Sequence, residues 1–321
     1  MRILVTGAAG FIGGQVCRAL SDRSHDVVAI DNFDGTLYDP AVKMQMAAWL
    51  ERERGLKVHR FDAAEAIPAT LWEGVDTVVN EAAVPGLVPS WTNFSSYVRA
   101  NILAVQELAA AAVANGVSHF VQASTSSVYG RFAKGDEGAL TQPYSPYGVS
   151  KLAGEAVVQA YAANFDLPFT ILRYYSVYGP GQRPDMAYHI LCEKLLSGDV
   201  ITVYGDGTQS RTNTHVVDCV SATVSAVEHP NFGEIFNISG AESISLLDAI
   251  EVLANSLGVT PRVEYADTRR GDQAHTVGVT AKAQALLKFE PRVPIREGLA
   301  EQADWHRQGR PVEFISKWLV S

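Results

Sequence analysis

Two short stretches of the chain carry the residues best suited to acid–base chemistry. One is Ser124-Thr125-Ser126-Ser127, and the other places Tyr147 four residues before Lys151. Residues four apart share one face of a helix, so an ammonium beside the phenol would favour its ionised form and make Tyr147 a base. A hydroxyl of the Ser/Thr stretch could hydrogen-bond a substrate hydroxyl next to that base. Because such a Tyr/Lys pair also occurs on ordinary solvated helix faces, this interpretation depends on the rest of the chain.

The composition limits the class of protein. The 321 residues, 47% of them hydrophobic, suffice for one large domain and a smaller one. A net charge of -9 and a pI near 5.4 argue against binding to nucleic acid. The chain opens directly on an apolar strand pattern, and no apolar run approaches the roughly 18 residues needed to span a bilayer. We therefore expect a soluble cytoplasmic protein without a membrane partner.

The metal-binding residue types show no pattern typical of a metal site. The three cysteines, Cys17, Cys192 and Cys219, lie among apolar neighbours, and none of the eight histidines has a spacing that demands a metal. We expect neither a metal nor a disulfide.

A glycine-rich turn follows the first predicted strand, Arg2 to Thr6. The turn reads Gly7-Ala8-Ala9-Gly10-Phe11-Ile12-Gly13 and leads into a helical pattern. Such a backbone can approach a pyrophosphate at a helix N-terminus. Asp31 ends the second strand, where a carboxylate can bind both ribose hydroxyls and would repel a 2'-phosphate. This pattern predicts NAD rather than NADP.

Strands and helices alternate up to Tyr174, which predicts an α/β fold with a Rossmann-type, doubly wound parallel sheet. Asp62 follows the third strand and can bind the adenine amino group, although a plain loop aspartate is nearly as plausible. The small residues Ala82-Ala83 follow the fourth strand and would let the backbone lie near a cofactor. The fifth strand delivers Ser124 and Thr125 to the carboxyl edge of the sheet, where ligands bind. A polar loop then precedes the helix that begins near Tyr147.

The pattern changes after Tyr174, where glycines and prolines interrupt it. We expect residues 1–174 to form the cofactor-binding domain and residues 175–321 to form mainly a smaller α/β substrate domain. Return segments to the first domain are expected near 212–238, with Gly233 to Ile238 as the candidate strand. Arginines recur in the later loops and could grip a diphosphate, or could simply form surface salt bridges: Arg183, Arg211, Arg269 and Arg270.

With these features in order, the chain resembles the extended short-chain dehydrogenase/reductases that act on nucleotide sugars. Within them it is most similar to the UDP-glucuronate 4-epimerases, through Asp31-Asn32-Phe33 with the Tyr38 to Lys43 stretch, and through Val177 to Pro180 with Arg183 to Ala187. The resemblance implies tightly bound NAD, a UDP-sugar substrate and a homodimer. The dimer would form through the helices near Phe94 to Ala114 and Tyr147 to Asn164.

The resemblance also implies roles for individual residues. The implied catalytic residues are Thr125, which supplies the hydroxyl, Tyr147, which is the base, and Lys151, which is the partner of the base. Asn101 is implied to support the lysine. The implied cofactor site comprises Gly7, Gly10, Phe11, Ile12, Gly13, Asp31, Asn32, Phe33, Asp62, Ala63, Ala82, Ala83, Asn101, Tyr147, Lys151 and Tyr174. The implied substrate site comprises Pro85, Thr125, Ser126, Ser127, Ser176, Arg183, Arg211, Arg269 and Asp272.

Several positions differ from the family pattern. Asn80-Glu81 replaces a usual His-Leu, Thr212 to His215 replaces Asp-Phe-Thr-Tyr, and Ser176 stands where threonine or asparagine is common. These differences bear on the identity of the substrate more than on the type of reaction.

The implied reaction inverts C4 of a UDP-sugar through a transient 4-keto intermediate, with UDP-glucuronate as the first expected substrate and UDP-glucose as the second. Tyr147 would take the proton of the 4-hydroxyl while NAD takes the hydride, and Lys151 would lower the pKa of the tyrosine. Dehydratases carry an Asp-Glu pair after the threonine, and UDP-glucuronate decarboxylases carry a glutamate two positions after it. Ser126 and Ser127 stand there instead, which disfavours both reactions.

Two further classes remain as alternatives. A non-catalytic dinucleotide-binding protein could use the same fold, but the intact Thr125, Tyr147 and Lys151 disfavour it. An ordinary dehydrogenase that releases NADH is disfavoured by the long C-terminal region.

Overall fold

The computed structural model describes residues 1–268, 275–314 and 316–319. The β-strands are β1 (Arg2–Thr6), β2 (Asp26–Asp31), β3 (Val58–Arg60), β4 (Thr77–Asn80), β5 (His119–Thr125), β6 (Phe132–Gly135), β7 (Phe169–Tyr174), β8 (Val177–Tyr178), β9 (Val200–Tyr204), β10 (Ser210–Thr212), β11 (Thr214–His215), β12 (Glu234–Ile238), β13 (Ser243–Ser245), β14 (Arg262–Ala266) and β15 (His275–Gly278). The α-helices are α1 (Phe11–Asp22), α2 (Ala41–Arg54), α3 (Ala69–Trp72), α4 (Phe94–Val98), α5 (Ala104–Ala114), α6 (Pro146–Phe165), α7 (Ala187–Ser197), α8 (Val216–Glu228), α9 (Leu246–Leu257), α10 (Ala281–Leu287) and α11 (Ile295–Arg307).

Within these ranges, seven parallel strands form the central sheet in the order β12-β7-β5-β4-β1-β2-β3. The order reverses between β1 and β4, and in open α/β sheets this reversal creates the crevice where ligands bind. The β1 side chains Ile3, Leu4 and Val5 are fully buried, as expected for a parallel strand covered on both faces. The predicted doubly wound α/β fold is confirmed.

Apolar side chains cover both faces of this sheet. Val16 and Leu20 of α1 pack with Val220 of α8 on one face. Leu108 of α5 and Val158 of α6 pack on the other. The catalytic candidates on β5 and α6 are therefore carried by a strand and a helix that share the second core.

The later part of the chain contributes smaller sheets and one strand of the central sheet. Strand β12 pairs with β7 along its whole length. The smaller sheets have the orders β13-β10-β15-β6, β14-β9 and β11-β8, and a separate core joins α7, α9 and α11. The division into domains at residue 174 stays a prediction.

Two local predictions differ from the structure. The predicted helix over 94–114 is interrupted by a π-helical turn at Arg99–Leu103, where the buried Asn101 side chain bonds to Val84 and Ser150. The predicted polar loop before Tyr147 contains β6, which pairs with the distant β15. The short β6 segment has no pattern of its own that would identify it, because its partner lies more than a hundred residues away.

Across the parts of the chain that the structure describes, every helix is too short or too polar to cross a bilayer.

Candidate active site

Thr125 ends β5 and starts a tight 3-10 turn at Ser126–Tyr129. Its hydroxyl oxygen accepts a hydrogen bond from the backbone N–H of Ser127 at 3.2 Å. The threonine hydroxyl hydrogen is thereby left to donate elsewhere. Thr125, Ser126 and Ser127 are buried at this edge of the sheet.

The first turn of α6 brings Tyr147 beside Thr125. Ser145 caps the helix by accepting a hydrogen bond from the N–H of Gly148 at 3.1 Å. A Cβ on Gly148 would lie only 2.7 Å from the Ser127 carbonyl oxygen, so a glycine allows the helix to approach the turn this closely. The approach brings the Tyr147 phenol to Thr125, whose hydroxyl lowers the pKa of Tyr147.

The protonation equilibrium of Tyr147 depends mainly on its burial. Burial raises the pKa of Tyr147, while the hydrogen bond with Thr125 and the positive charge of Arg183 oppose this rise. The expected effect of Lys151 on the pKa of Tyr147 stays a prediction. The Lys151 ammonium donates to the Ala123 carbonyl at 2.7 Å.

Lys151 is itself buried beneath the site. Burial lowers the pKa of Lys151 to about 8, against the opposing negative charges of Glu81 and Glu155. The carboxylates of Glu81 and Glu155 thus help Lys151 to keep its positive charge despite its burial.

A buried ion pair holds α6 against the sheet below the catalytic residues. Arg173 of β7 binds Glu155 of α6 through two hydrogen bonds of 3.0 and 2.7 Å, and both side chains are almost fully buried. The Ser124 hydroxyl also donates to Glu155. These contacts tie the helix that carries Tyr147 and Lys151 to the two strands beneath it.

The glycine turn between β1 and α1 forms a tight backbone cradle. Gly7 has a φ of +65° and lies against the Glu81–Ala82 backbone, while a Cβ on Gly13 would lie 2.2 Å from the Gly7 carbonyl oxygen. The first turn of α1 carries no acidic side chain. Its free N–H groups are therefore available to an anionic group such as a pyrophosphate.

Asp31 lies at the end of β2 beside this cradle. Its carboxylate accepts hydrogen bonds from the Ala9 N–H at 3.1 Å and the Phe33 N–H at 2.7 Å. The Lys43 ammonium lies 3.4 Å away. These bonds fix a buried carboxylate at the position expected for a ribose-binding acid.

Asp62 lies farther along the same edge. Its carboxylate accepts from the Ala64 N–H at 2.9 Å and from Arg99 at 3.0 Å. The predicted contact of Asp62 with an adenine amino group therefore has to share this carboxylate with Arg99.

A single cavity of about 500 Å³ joins these groups. Among the predicted site residues, the following line it: Gly7, Gly10, Phe11, Ile12, Gly13, Asp31, Asn32, Asp62, Ala63, Ala82, Ala83, Pro85, Thr125, Ser126, Ser127, Tyr147, Lys151, Tyr174, Ser176, Arg183 and Arg211. Phe33 and Asn101 lie outside this lining. Arg269 and Asp272 lie outside the described residues.

Phe33 and Asn101 have other contacts. Phe33 adopts a φ of 56°, and the Arg60 guanidinium lies 5.3 Å from its ring centre. Asn101 donates to the Ser150 hydroxyl at 2.9 Å and bonds both backbone groups of Val84. Asn101 therefore connects the loop after β4 to the residue next to Lys151.

Several lining residues with charges or hydroxyls have no role assigned from the sequence, among them Tyr38, Lys43, Glu81 and Asp185. Tyr38 and Lys43 belong to a stretch that carried the family resemblance, which was their available signal. Asp185 forms two 2.9 Å hydrogen bonds with Arg183. Glu81 was noted only as a departure from the family pattern.

The described residues fit a dinucleotide cofactor. The glycine turn is tight because any side chain at Gly13 would collide with the Gly7 carbonyl, and the helix N-terminus that follows it can bind a pyrophosphate. Asp31 offers a buried carboxylate where a ribose could bind, and its negative charge would oppose an added 2'-phosphate. Tyr147 and Lys151 line the same cavity as the glycine cradle and Asp31.

Comparisons with known proteins agree with this geometry. The family model for the NAD dependent epimerase/dehydratase family matches residues 3–239. A Bacillus subtilis protein named "Uncharacterized UDP-glucose epimerase YtcB" is 39% identical over 306 residues, covering 94% of this chain and 96% of the relative. The UDP-glucuronate 4-epimerase of Thermodesulfobacterium geofontis is 31% identical over 319 residues, covering 97% of each.

A solved structure is similar over nearly the whole chain. It is the UDP-glucuronic acid 4-epimerase of Bacillus cereus in complex with UDP-glucuronic acid and NAD. Its TM-score is 0.91 at 39% sequence identity, and the match covers 96% of this chain and 99% of that one.

Proposed function

Because this chain belongs to the NAD-dependent epimerase/dehydratase family, we propose that it inverts C4 of a UDP-sugar, converting UDP-glucuronate to UDP-galacturonate. The observation that carries this proposal is the single cavity in which Thr125, Tyr147 and Lys151 meet the glycine cradle and Asp31. A base and a dinucleotide site in one cavity are what an oxidation at a sugar carbon requires.

Bound NAD supplies the chemistry of accepting a hydride from C4 and returning it to the other face of the keto sugar. Tyr147 removes the proton from the 4-hydroxyl, and Thr125 holds the same oxygen by a hydrogen bond. Because burial raises the pKa of Tyr147, the phenolate needs nearby positive charge and hydrogen bonds to form. Arg183 and Thr125 already act in that direction.

The cavity wall proposed to face the sugar can bind the substrate's C5 carboxylate without promoting its loss as CO2. Ser126, Ser127 and Ser176 line the cavity with neutral hydroxyls, which can hydrogen-bond a C5 carboxylate. The 4-keto form of a glucuronate is a β-keto acid that tends to lose CO2. Holding its carboxylate by several hydroxyls keeps the breaking bond out of alignment with the carbonyl.

The diphosphate of the substrate is assigned to arginines. Arg183 and Arg211 line the cavity, and guanidinium groups suit the geometry of phosphate oxygens. Arg269 and Asp272 complete the proposed substrate site on the strength of the family pattern.

UDP-glucose is the second candidate substrate. The hydroxyls that would hold a carboxylate can also bind a hydroxymethyl group, and a 39% identical relative bears the name UDP-glucose epimerase. UDP-glucuronate decarboxylase and other nucleotide-sugar dehydratase activities rank lower because Ser126 and Ser127 replace the acidic residues they use.

The substrate assignment is tested by incubating the purified protein, without added reductant, with UDP-glucuronate and separately with UDP-glucose. Products are followed by NMR and by release of CO2. We expect UDP-galacturonate without CO2. UDP-galactose alone would move the substrate to the second candidate, whereas UDP-xylose or a 4-keto pentose would contradict the role of the serines.

The role of Tyr147 is tested by Tyr147→Phe, which removes the base and keeps the ring. Turnover should fall by about 100-fold or more, the usual loss for a general base. Circular dichroism and the amount of bound NAD should stay unchanged. Tyr161→Phe on the same helix, whose hydroxyl bonds Gln106, is the matched control and should keep normal turnover; near-normal turnover of Tyr147→Phe would refute the assignment.

We also propose a homodimer formed through α4–α5 and α6. Leu103, between α4 and α5, and Val149 of α6 are each 48% exposed, which is typical of apolar side chains at a contact surface. The cytoplasmic location stays a prediction.

A further inference from the structure

Glu81 places a carboxyl group in the catalytic cavity next to the cofactor cradle. It directly follows β4 and lines the cavity with Tyr147 and Lys151. The Tyr174 hydroxyl donates to it at 2.7 Å. The family pattern has no acidic residue at this position, so the general features of the reaction do not explain it.

The hydrogen atoms around Glu81 can be counted. Tyr174 lies 2.8 Å from the Thr223 hydroxyl, and Thr223 donates to the Cys219 carbonyl at 2.9 Å. Each hydroxyl has one hydrogen, so with an ionised Glu81 either the Tyr174–Thr223 or the Thr223–Cys219 contact lacks a hydrogen. With a protonated Glu81, the acid donates to Tyr174, Tyr174 to Thr223 and Thr223 to Cys219, and every contact is a hydrogen bond.

The groups that face Glu81 come from four elements. They are Lys151 of α6, Tyr174 of β7, Cys17 of α1 and Cys219 of α8. Burial raises the pKa of the Glu81 carboxyl to about 7, and the Tyr174 hydrogen bond and the Lys151 charge only partly oppose this. The carboxyl is therefore neutral below that pH and an anion above it.

We propose that Glu81 exchanges a proton with solvent as the charge of the bound cofactor changes. Glu81 is an anion when the oxidised, positively charged nicotinamide shares the cavity, and it takes up a proton when the ring is reduced and neutral. This inference rests on the proposed NAD-dependent function and adds a positioning role for a residue beyond the Thr125, Tyr147 and Lys151 set.

The consequence is a preference for the oxidised cofactor. A buried carboxylate, with a lower effective dielectric around it, stabilises a positive ring more strongly than one in water. The Glu81 pKa is expected to differ between the NAD complex and the NADH complex. Each pKa unit of this difference changes the ratio of the affinities for NAD and NADH about tenfold. An epimerase that returns the hydride in every turnover benefits, because a resting enzyme in the oxidised state is ready for the next sugar.

The test uses the NAD-loaded enzyme without any sugar. Borohydride supplies a hydride to the bound cofactor, and the proposed step adds one proton from solvent to the Glu81 carboxylate. The readout is the infrared difference spectrum of reduced minus oxidised enzyme at pH values from 6 to 9, chosen to bracket the Glu81 pKa of about 7. We expect the wild type to gain a protonated-carboxyl band at pH values close to 7, between the Glu81 pKa of the oxidised and of the reduced complex, and Glu81→Gln to lack this band.

A second readout is the fraction of reduced cofactor at a fixed external redox poise, followed by near-ultraviolet absorbance. If the Glu81 pKa differs by one unit between the NAD and NADH complexes, Glu81→Gln should increase the ratio of bound NADH to bound NAD by about tenfold at pH 8. Glu251→Gln, on the exposed face of α9, is the matched control and should leave both readouts unchanged.

Tyr174→Phe keeps the carboxyl and removes its hydrogen-bond donor. Because that bond lowers the pKa of Glu81, its loss should move the pH at which the band changes to a higher value. A carboxyl band that persists in Glu81→Gln, or is absent from the wild type at every pH, would overturn the inference. An enzyme that holds no NAD would instead refute the proposed function, so the two failures are distinguishable.

Discussion

Ser127 is a neutral residue in the cavity wall proposed to face the sugar. It is buried beside Thr125, its backbone N–H is bound by the Thr125 hydroxyl, and its carbonyl lies against Gly148. The residue is therefore held rigidly by its own backbone. A change in its side chain should alter the chemistry of the cavity more than its shape.

Ser127→Glu tests whether this neutral wall permits a carboxylate substrate. Two like charges ~5 Å apart at an effective dielectric of about 20 repel by about 3 kcal/mol. KM for UDP-glucuronate should therefore rise about 100-fold, and KM for UDP-glucose should change far less. Ser127→Gln has the same size without the charge and is the control. Equal effects of the two variants in steady-state kinetics would show that size, and not charge, matters here.

For single residues, the sequence predicts which side chains form the candidate site, but it does not predict their protonation states. The spacing of Tyr147 and Lys151 and the position of Asp31 carry their own signal in the sequence. The partner of Lys151 is a backbone carbonyl 28 residues away, and that of Glu81 is a tyrosine 93 residues away. Such partners appear only when the strands are assembled, so the pKa shifts of Lys151 and Glu81 could not be predicted from the sequence.

Helix α6 acts as a unit because buried charges fasten it to the sheet. Burial alone would lower the pKa of Arg173, but the hydrogen bonds and charge of Glu155 outweigh it and raise the pKa. Tyr129 accepts a further hydrogen bond from Arg173 at 2.8 Å. The ion pair thus connects the turn after Thr125 to the helix that carries Tyr147.

Arg173→Met should lower the free energy of unfolding by about 3–5 kcal/mol, because it leaves the Glu155 carboxylate buried without its partner. The double variant Arg173→Met/Glu155→Leu should recover part of this loss, since no unpaired charge remains. Lys317→Met removes an exposed pair with Glu297 and should cost less than about 1 kcal/mol. Urea denaturation measures all three, and a double variant that is no more stable than Arg173→Met would contradict this account.

Elements with a local pattern were predicted well, and those fixed by distant partners were not. The predicted helix over 187–197 agrees with α7, and the predicted strand over 2–6 agrees with β1. The π-helical turn at Arg99–Leu103 exists where Asn101 bonds the loop after β4, a contact no periodicity encodes. Strand β6 depends on β15, which has no signal near residue 132.

At the scale of the whole molecule, the catalytic helix also borders the proposed dimer surface. Helices α5 and α6 pack against each other on one side of the sheet, and they carry both buried core residues and exposed apolar ones. Phe165 at the end of α6 is 59% exposed. A partner molecule covering this surface would remove such side chains from water and add rigidity to the helix that positions Tyr147.

Leu103→Glu should weaken this association by placing a charge where an apolar side chain, 48% exposed in the single chain, would be buried. Light scattering over a range of concentrations should show the wild type as a dimer and the variant shifted toward monomer. The KM for the sugar should change little, because the variant lies outside the cavity lining. Leu286→Glu, a similarly exposed leucine at 44% on α10, is the matched control and should remain dimeric. A monomeric wild type, or a variant that dimerises as tightly as the wild type, would place the interface elsewhere, because a buried unpaired carboxylate is too costly for a dimer to accommodate.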